Sequence, residues 1–168
     1  MTTRWTLRPV TTGDAALLAK ATLGNINWSA ELVTADEVRA RPEFRHYTVL
    51  VPGRGDFGTV AEAAGGPVGV AWAQYLGADD PGYGFVDEAT PELCLWVDAP
   101  SRGLGLGRAL LRALQTEARR RGVARLSLSV EPDNFAAHLY AAEGFTPVVG
   151  REQDGVMTWS CWGHGVVP

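Results

Sequence analysis

One segment limits the fold of this chain more than any other. The apolar run Leu93–Val97 is typical of a buried strand, and after four residues it is followed by Arg102-Gly-Leu-Gly-Leu-Gly107-Arg108. Apolar residues then recur at every fourth position and predict a helix that ends near Arg121, with Gly122 behind it: Leu106, Leu110, Leu114 and Ala118. The segment therefore joins a strand to a helix through a turn with a glycine at every second position.

This turn has the chemistry of an anion-binding site. Each glycine lets the backbone approach a ligand without an intervening Cβ atom. The first N–H groups of the helix point into the turn, where the helix dipole adds roughly half a positive charge. Arg102 and Arg108 offer charged donors as well. We therefore predict that the turn binds a pyrophosphate; the alternative is a tight turn whose glycines serve packing alone.

Two other phosphate-binding motifs are excluded. The dinucleotide fingerprint requires G-x-G-x-x-G, and Arg108 occupies the position of its third glycine. A Walker loop requires Gly-Lys-Ser or Gly-Lys-Thr, and the turn contains neither.

A second motif follows the helix. Leu and Val alternate with Ser over residues 126–130 and predict a strand, and Asp133–Glu143 predicts a helix that stops at Gly144. Together the two motifs resemble the GCN5-related N-acetyltransferases (GNAT), whose R-x-x-G-x-G/A turn matches Arg102–Gly107 and whose later segment carries Asn, Leu-Tyr and Gly-Phe. The resemblance is specific over residues 92–145 and general elsewhere. It departs locally at Ala99, where the family often has proline.

The resemblance implies that acetyl-CoA is the co-substrate. In the family, backbone amides of this turn hold the coenzyme A pyrophosphate, and the preceding strand splays from its neighbour and takes the pantetheine arm. The cofactor-binding positions that follow are Leu95, Trp96, Val97, Arg102, Gly103, Leu104, Gly105, Leu106, Gly107, Arg108 and Asn134. Asn134 contacts the pantetheine or positions the helix in the family, and it is equally suited to cap the helix N-terminus.

Two residues are candidates for catalysis. Tyr140 matches the family's tyrosine near the coenzyme sulfur, which implies a general acid that protonates the departing thiolate; the alternative is a core aromatic residue. Glu92 begins the strand that leads to the turn and is the first candidate for the base that deprotonates the amine; the alternative is an exposed glutamate at a strand edge. Asp87 and Glu88 are weaker candidates for the base, and the N–H of Val97 is a candidate for stabilising the oxyanion.

The order of the predicted elements indicates the fold class. A strand, two helices and several strands precede a β-α-β-α-β series, which predicts an α+β, GNAT-like fold. We expect a central, mixed, mostly antiparallel and twisted sheet of about six or seven strands flanked by about four helices. Residues 1–168 are expected to form a single GNAT domain. The first helix is expected to end at Gly24, a second to cover residues 29–41, and a strand to cover Thr48–Val51.

The segment from Gly77 to Pro91 predicts a long loop. Its acidic and aromatic residues are Asp79, Asp80, Tyr83, Phe85, Asp87 and Glu88. An acidic, aromatic rim suits a cationic amine, and the alternative is a solvated loop without a part in binding. In the family, the acceptor pocket is built from variable helices and loops, here residues 24–46 and 77–91.

Composition argues against several classes of function. The net charge of −4 disfavours nucleic-acid binding, and the longest uncharged stretch is too short to span a membrane. Two isolated cysteines indicate a reduced, cytoplasmic protein, and the three histidines lack the spacing of metal ligands, so no metal is expected. The final strand, with Trp159 and Trp162, either pairs across a homodimer or lies in the core.

These observations predict an acetyl-CoA-dependent N-acetyltransferase. The acetyl group is expected to pass to a primary amine of a small molecule or protein by direct attack in a ternary complex. The acceptor stays open between an aminoglycoside, a polyamine, an amino acid and a protein N-terminus. The alternatives are a non-catalytic, acyl-CoA-binding regulatory module and a partner-binding scaffold without affinity for the coenzyme.

Overall fold

A seven-stranded mixed sheet forms the centre of residues 5–163, the part of the chain that this computed structural model describes. Its strands are β1 (Thr6–Pro9), β2 (Phe57–Ala63), β3 (Gly66–Gln74), β4 (Glu92–Val97), β5 (Arg125–Ser129), β6 (Thr146–Pro147) and β7 (Val156–Ser160). Their spatial order is β1-β2-β3-β4-β5-β7-β6, and the neighbours are antiparallel except for the parallel pair β4 and β5. The predicted fold class is confirmed.

Five α-helices within residues 5–163 cover the two faces of the sheet. They are α1 (Ala15–Ile26), α2 (Ala35–Ala40), α3 (Pro42–Arg45), α4 (Leu106–Arg120) and α5 (Ala136–Ala142). The predicted stripe of α4 is buried on one face, in a core that also contains Tyr140 and Phe145. The other face packs Trp72 and Trp96 against Leu18 of α1. Each face therefore has its own apolar core, as expected for a sheet between two layers.

Three local predictions in the N-terminal half are wrong. Gly24 does not end α1, because it packs on the indole of Trp96, where a Cβ atom would collide with the ring. Only the second half of the predicted helix over residues 29–41 forms, because Thr34 begins α2 as its N-cap through a capping box with Glu37. Residues 29–33 instead follow a loop whose backbone N–H groups at Leu32 and Val33 bond to Asn27.

The predicted strand Thr48–Val51 is also absent. His46–Thr48 forms a 3₁₀ turn, and the backbone then runs irregularly to Pro52. The buried Gln74 side chain donates to the carbonyls of His46 at 2.8 Å and Val49 at 2.7 Å. These carbonyl groups are therefore satisfied by a side chain and need no neighbouring strand.

The last strand lies inside the sheet. β7 pairs with β5 on one side and with the two-residue β6 on the other, and Trp159 is buried in the core next to Phe145. Trp162 is half exposed beyond its end. None of the helices in the described residues combines the length and the hydropathy needed to cross a bilayer. Residues 1–4 and 164–168 of the predicted domain lie outside the described part of the chain.

Candidate active site

The parallel strands β4 and β5 separate almost at once. Their ladder in the described chain has one rung, Glu92 opposite Ser127, where the N–H of Ser127 donates to the carbonyl of Pro91 at 3.1 Å. On the other side of β4, the N–H of Asp98 donates to Val68 of β3 at 3.0 Å. Because backbone groups alternate along an antiparallel pair, the N–H groups of Leu95 and Val97 point away from β3 and into the gap beside β5.

Only some residues of β4 face the gap with their backbone groups. Leu95 and Val97 face it with their N–H groups and pack their side chains against the α4 side of the core. Trp96 does not face the gap, because its backbone pairs with Val70 of β3 and its indole packs against α1. Of the three strand positions predicted to hold the cofactor, two are thus placed to do so through their backbone.

The glycine turn lies at the open end of this gap. Asp98 caps a 3₁₀ turn over Ala99–Ser101 by accepting from the N–H of Ser101, and the chain then passes through Gly103 and Gly105. Their φ values of +74° and +82° lie in the left-handed region, which favours glycine. Gly105 is the N-cap of α4 and supplies no side-chain acceptor, so the first N–H groups of α4 stay available to a ligand.

The two arginines of the turn have different partners. The Nε of Arg102 donates to the carbonyl of Val97 at 3.1 Å, which holds its guanidinium beside the end of β4. Arg108 points instead toward α5, where its Nε lies 2.8 Å from Oε1 of Glu143, a carboxylate that also pairs with Arg112. The side chain of Arg102 therefore stays beside the turn, whereas the side chain of Arg108 links α4 to α5.

Asn134 lies two residues before the start of α5, whose N-cap is Phe135. Its Oδ1 accepts from the N–H of Ala136 at 2.9 Å, at the start of α5. A side chain added at Gly107 would contact Leu139 of α5 and Val97 of β4, so the turn, α5 and the strand meet here. The Nδ2 of Asn134, which is partly exposed, donates to no residue among 5–163.

Tyr140 lies in the core below the same gap. Its side chain is 7% exposed and packs edge-on against Phe145 at 5.8 Å between ring centroids. Its hydroxyl has no hydrogen-bond partner within the described chain. Burial raises the pKa of this hydroxyl above its ordinary value, and the nearby Cys94 of β4 raises it further. The phenol is therefore protonated at neutral pH, as a proton donor must be.

Glu92 is buried, so the alternative of an exposed glutamate is wrong. It is 5% exposed, and its Oε1 accepts from the hydroxyl of Tyr47 at 2.8 Å and from the N–H of Gly84 at 2.9 Å. Its Oε2 is buried and has no partner among the described residues. Burial raises the pKa of Glu92 to about 7, against the lowering effect of the two hydrogen bonds.

Tyr47 is a site residue that sequence reasoning missed. It is buried, and its hydroxyl also accepts from the N–H of Tyr83 at 2.8 Å. Burial and the nearby Glu92 carboxylate raise the pKa of the phenol, so it stays protonated and donates to Glu92. It lies 45 positions from Glu92 in the chain, and no local pattern links the two.

The loop over residues 77–91 is folded against the site. Asp80 bonds to Nδ1 of His46 at 2.9 Å, and Asp87 forms an ion pair with Arg125. Phe44 contacts the ring of Tyr83 at 6.5 Å between centroids. Two of the acidic residues predicted to form an acidic rim are therefore occupied by partners within the protein.

Comparison with known proteins identifies the family. The model of the Acetyltransferase (GNAT) family matches residues 22–145. Mycothiol acetyltransferase of Beutenbergia cavernae is 46% identical over 72 residues, which cover 42% of this chain and 24% of that protein. The enzyme of the same name from Thermobispora bispora is 42% identical over 93 residues, which cover 52% of this chain and 29% of that protein. The matches thus span about a quarter of the length of these curated relatives.

Solved structures share the fold over nearly the whole chain. A GNAT-family acetyltransferase of Staphylococcus aureus has a TM-score of 0.69 and 13% identity, covering 94% of this chain and 99% of that one. A putative acetyltransferase of Salmonella typhimurium, solved with its cofactor acetyl-CoA, has a TM-score of 0.63 and 23% identity, covering 96% of each chain. Ribosomal-protein-alanine N-acetyltransferase of Brucella melitensis has a TM-score of 0.62 and 28% identity, covering 92% of this chain and 99% of that one. The chain belongs to the GNAT family of acetyltransferases, as its two motifs predicted.

Proposed function

We propose that this chain transfers the acetyl group of acetyl-CoA to a primary amine by direct attack in a ternary complex. The observation that carries the proposal is the uncapped N-terminus of α4 in its glycine turn, at the open end of the gap between β4 and β5. Membership of the acetyltransferase family supports it. Acetyl-CoA would supply an activated acyl group and a good leaving thiolate; the protein must bind it, orient it and move the protons.

Binding is assigned to backbone groups. The N–H groups of residues 103–108 suit the two phosphates, because a helix N-terminus favours negative charge. Arg102 lies beside the end of β4, and Asn134 lies just before α5, which approaches Gly107 through Leu139. The free N–H group of Val97 along the gap suits an amide carbonyl of the pantetheine arm. In this arrangement the turn fixes how far the acetyl group reaches along β4.

Glu92 is the proposed base. A carboxylate whose pKa is about 7 is ionised in part at neutral pH and basic enough to take a proton from an ammonium group. Its free oxygen, Oε2, has no competing donor in the described residues. Gly82 covers this oxygen closely, so the acceptor amine requires Gly82 to move aside.

Distances along β4 favour Leu95 as the oxyanion donor. Val97 lies five positions after Glu92, and a strand rises by about 3.3 Å per residue, so the two lie about 16 Å apart. Leu95 is closer to Glu92, faces the same gap and has no ladder partner on β5. We therefore assign the oxyanion to the N–H of Leu95 and leave Val97 to the pantetheine arm.

Tyr140 is the proposed general acid. It lies close enough to Cys94, in the middle of β4, for Cys94 to raise the pKa of its hydroxyl, and this hydroxyl makes no hydrogen bond within the described chain. A protonated phenol beside a departing thiolate prevents the build-up of negative charge on sulfur. Glu92 and Tyr140 thus serve opposite ends of one transfer, one taking a proton and the other giving one.

Candidate acceptor amines are suggested by the names of the relatives. The relatives' names refer to mycothiol in one case and to a ribosomal-protein alanine in another, so both a small amine and a protein amine are worth testing. The predicted single domain, the homodimer and the cytoplasmic location stay predictions. The second candidate function is a non-catalytic module that binds acyl-CoA, for which the buried and covered state of Glu92 Oε2 is the favouring observation.

An assay of thiol release tests the proposal. The purified chain is incubated with acetyl-CoA and a panel of amines that includes polyamines, aminoglycosides, amino acids and alanine-ended peptides, and free coenzyme A is measured. Calorimetry with acetyl-CoA runs in parallel, and the double variant Glu92→Gln, Tyr140→Phe is the control protein. We expect both proteins to bind acetyl-CoA and the wild type alone to release coenzyme A in an amine-dependent reaction. Binding without release would favour the regulatory module, and absence of binding would refute both.

A further inference from the structure

A buried hydrogen-bond cluster lies beneath the loop over residues 77–91. Tyr47 donates to Glu92 at 2.8 Å and accepts from the N–H of Tyr83 at 2.8 Å, while the N–H of Gly84 donates to Glu92 at 2.9 Å. The phenol and carboxylate come from distant parts of the chain, and the two amides come from the loop tip. One hydroxyl group therefore connects the proposed base to the loop that covers it.

We propose that Tyr47 is a positioning residue, which fixes the carboxylate of Glu92 so that Oε2 alone is left to take the proton of the acceptor amine. The inference rests on the proposed function. Its basis is an asymmetry of the carboxylate: Oε1 has two donors and Oε2 has none among the described residues. A carboxylate with one oxygen tied by two donors cannot rotate without breaking both bonds.

The surroundings allow little other motion of these groups. Gly82 packs so closely that a Cβ atom there would collide with Glu92 Oε2 and would lie 2.6 Å from the hydroxyl of Tyr47. The ring of Tyr47 is held edge-on by His46 at 4.2 Å between centroids, and His46 is itself bonded to Asp80. The phenol is thus fixed by packing, and its hydroxyl has one direction in which to donate.

The chemistry of the cluster separates positioning from proton transfer. Burial and the Glu92 charge raise the pKa of Tyr47, so the phenol keeps its proton and acts as a permanent donor. A donor to a carboxylate stabilises its ionised form and so lowers the carboxyl pKa. The other titratable groups near Glu92 and Tyr47 are Cys94 on β4, Tyr83 in the loop, and the pair formed by His46 and Asp80.

Tyr47→Phe tests the proposal, since it removes one oxygen and keeps the ring. We expect the pKa of Glu92, followed by carboxyl carbon NMR, to rise by about one pH unit, because one charge-assisted hydrogen bond is lost. The acid limb of kcat/KM should move with it, so that kcat/KM near pH 7 falls about fivefold and recovers at higher pH. Tyr75→Phe is the matched control, because the Tyr75 hydroxyl makes no hydrogen bond to residues 5–163.

Two results would overturn the proposal. One is an unchanged Glu92 pKa in Tyr47→Phe; the other is a loss of kcat/KM that is the same at every pH, which a merely structural role produces. If the variant does not fold, the wild type still tests the proposal. The NMR shift of the Tyr47 ring carbon that bears the hydroxyl should change with pH at the same midpoint as the Glu92 carboxyl carbon. The NMR arm needs no turnover, so inactivity of the wild type would count against the proposed function alone.

Discussion

Glu92 on β4 and Ser127 on β5 pair at the rung where the two parallel strands touch, and beyond that rung the strands diverge. Both side chains are buried, and within the described residues Glu92 Oε2 and Ser127 Oγ have no hydrogen-bond partner. Native structures rarely leave buried polar atoms without partners. The point at which the sheet opens is therefore also a point at which buried polar atoms lack partners within the described residues.

The buried carboxyl of Glu92 should make stability depend on pH. Burial raises its pKa from the ordinary 4.5 to about 7, so the folded state binds this proton more tightly than the unfolded state. The stabilisation is complete below about pH 4.5 and is lost as the pH rises through 7, by about 3 kcal/mol in total. Glu92→Gln should remove this dependence, which denaturant titrations between pH 5 and 8 will measure.

The pH range over which stability changes distinguishes Glu92 from other carboxyl groups. Arg8 holds the pKa of Asp14 below its usual value, and Arg120 lowers that of Glu117 to about 2, so their contributions are lost only at more acidic pH. Glu131→Gln is the control, because Glu131 is exposed and should leave the wild-type slope unchanged. A slope that survives in Glu92→Gln would show that another group is responsible.

Gly82→Ala should disturb the cluster around Glu92 by sterics. The new Cβ atom would collide with the carboxylate and crowd the Tyr47 hydroxyl, so the loop tip must shift, at an expected cost of about 1–3 kcal/mol in unfolding free energy. Gly65→Ala adds the same atom in open space and should change stability by about 0.5 kcal/mol or less. Equal stabilities of the two variants, measured by urea unfolding, would mean that the loop does not pack on Glu92 in solution.

The glycine turn allows ligand binding to be separated from backbone strain. Gly103 and Gly122 lie at opposite ends of α4, both have positive φ values, and both face open space. Alanine at either position should cost about 1–2 kcal/mol of stability, because an L-residue is strained in this conformation. Gly103→Ala alone should weaken acetyl-CoA binding, by about tenfold, because its Cβ and strain disturb the amides that face the phosphates. Equal affinities by calorimetry would place the phosphates elsewhere.

Tyr140→Phe should separate catalysis from binding. The variant keeps the ring against Phe145 and loses a hydroxyl that makes no hydrogen bond within the described chain. We expect turnover to fall by about a hundredfold, a typical contribution of a general acid, while the Kd for acetyl-CoA stays close to that of the wild type. Tyr75→Phe should retain full turnover. Unchanged turnover in Tyr140→Phe would remove this residue from the mechanism.

The elements around the site that the sequence predicted correctly are local in the chain. Periodic leucines and left-handed glycines determine α4 and its turn within about twenty residues, so both were predictable. The failed predictions depend on distant contacts. Gly24 is a helix breaker by propensity, yet the space it leaves for Trp96 keeps it inside α1. Tyr47 reaches Glu92 through tertiary packing that has no sequence signature.

Crystallography of the chain with coenzyme A tests the central claim most directly. The account predicts that the two phosphates accept hydrogen bonds from backbone N–H groups of residues 103–108, with the pantetheine arm between β4 and β5 and its sulfur near Tyr140. A pyrophosphate bound anywhere else on the protein, with that turn free of ligand, would contradict the account.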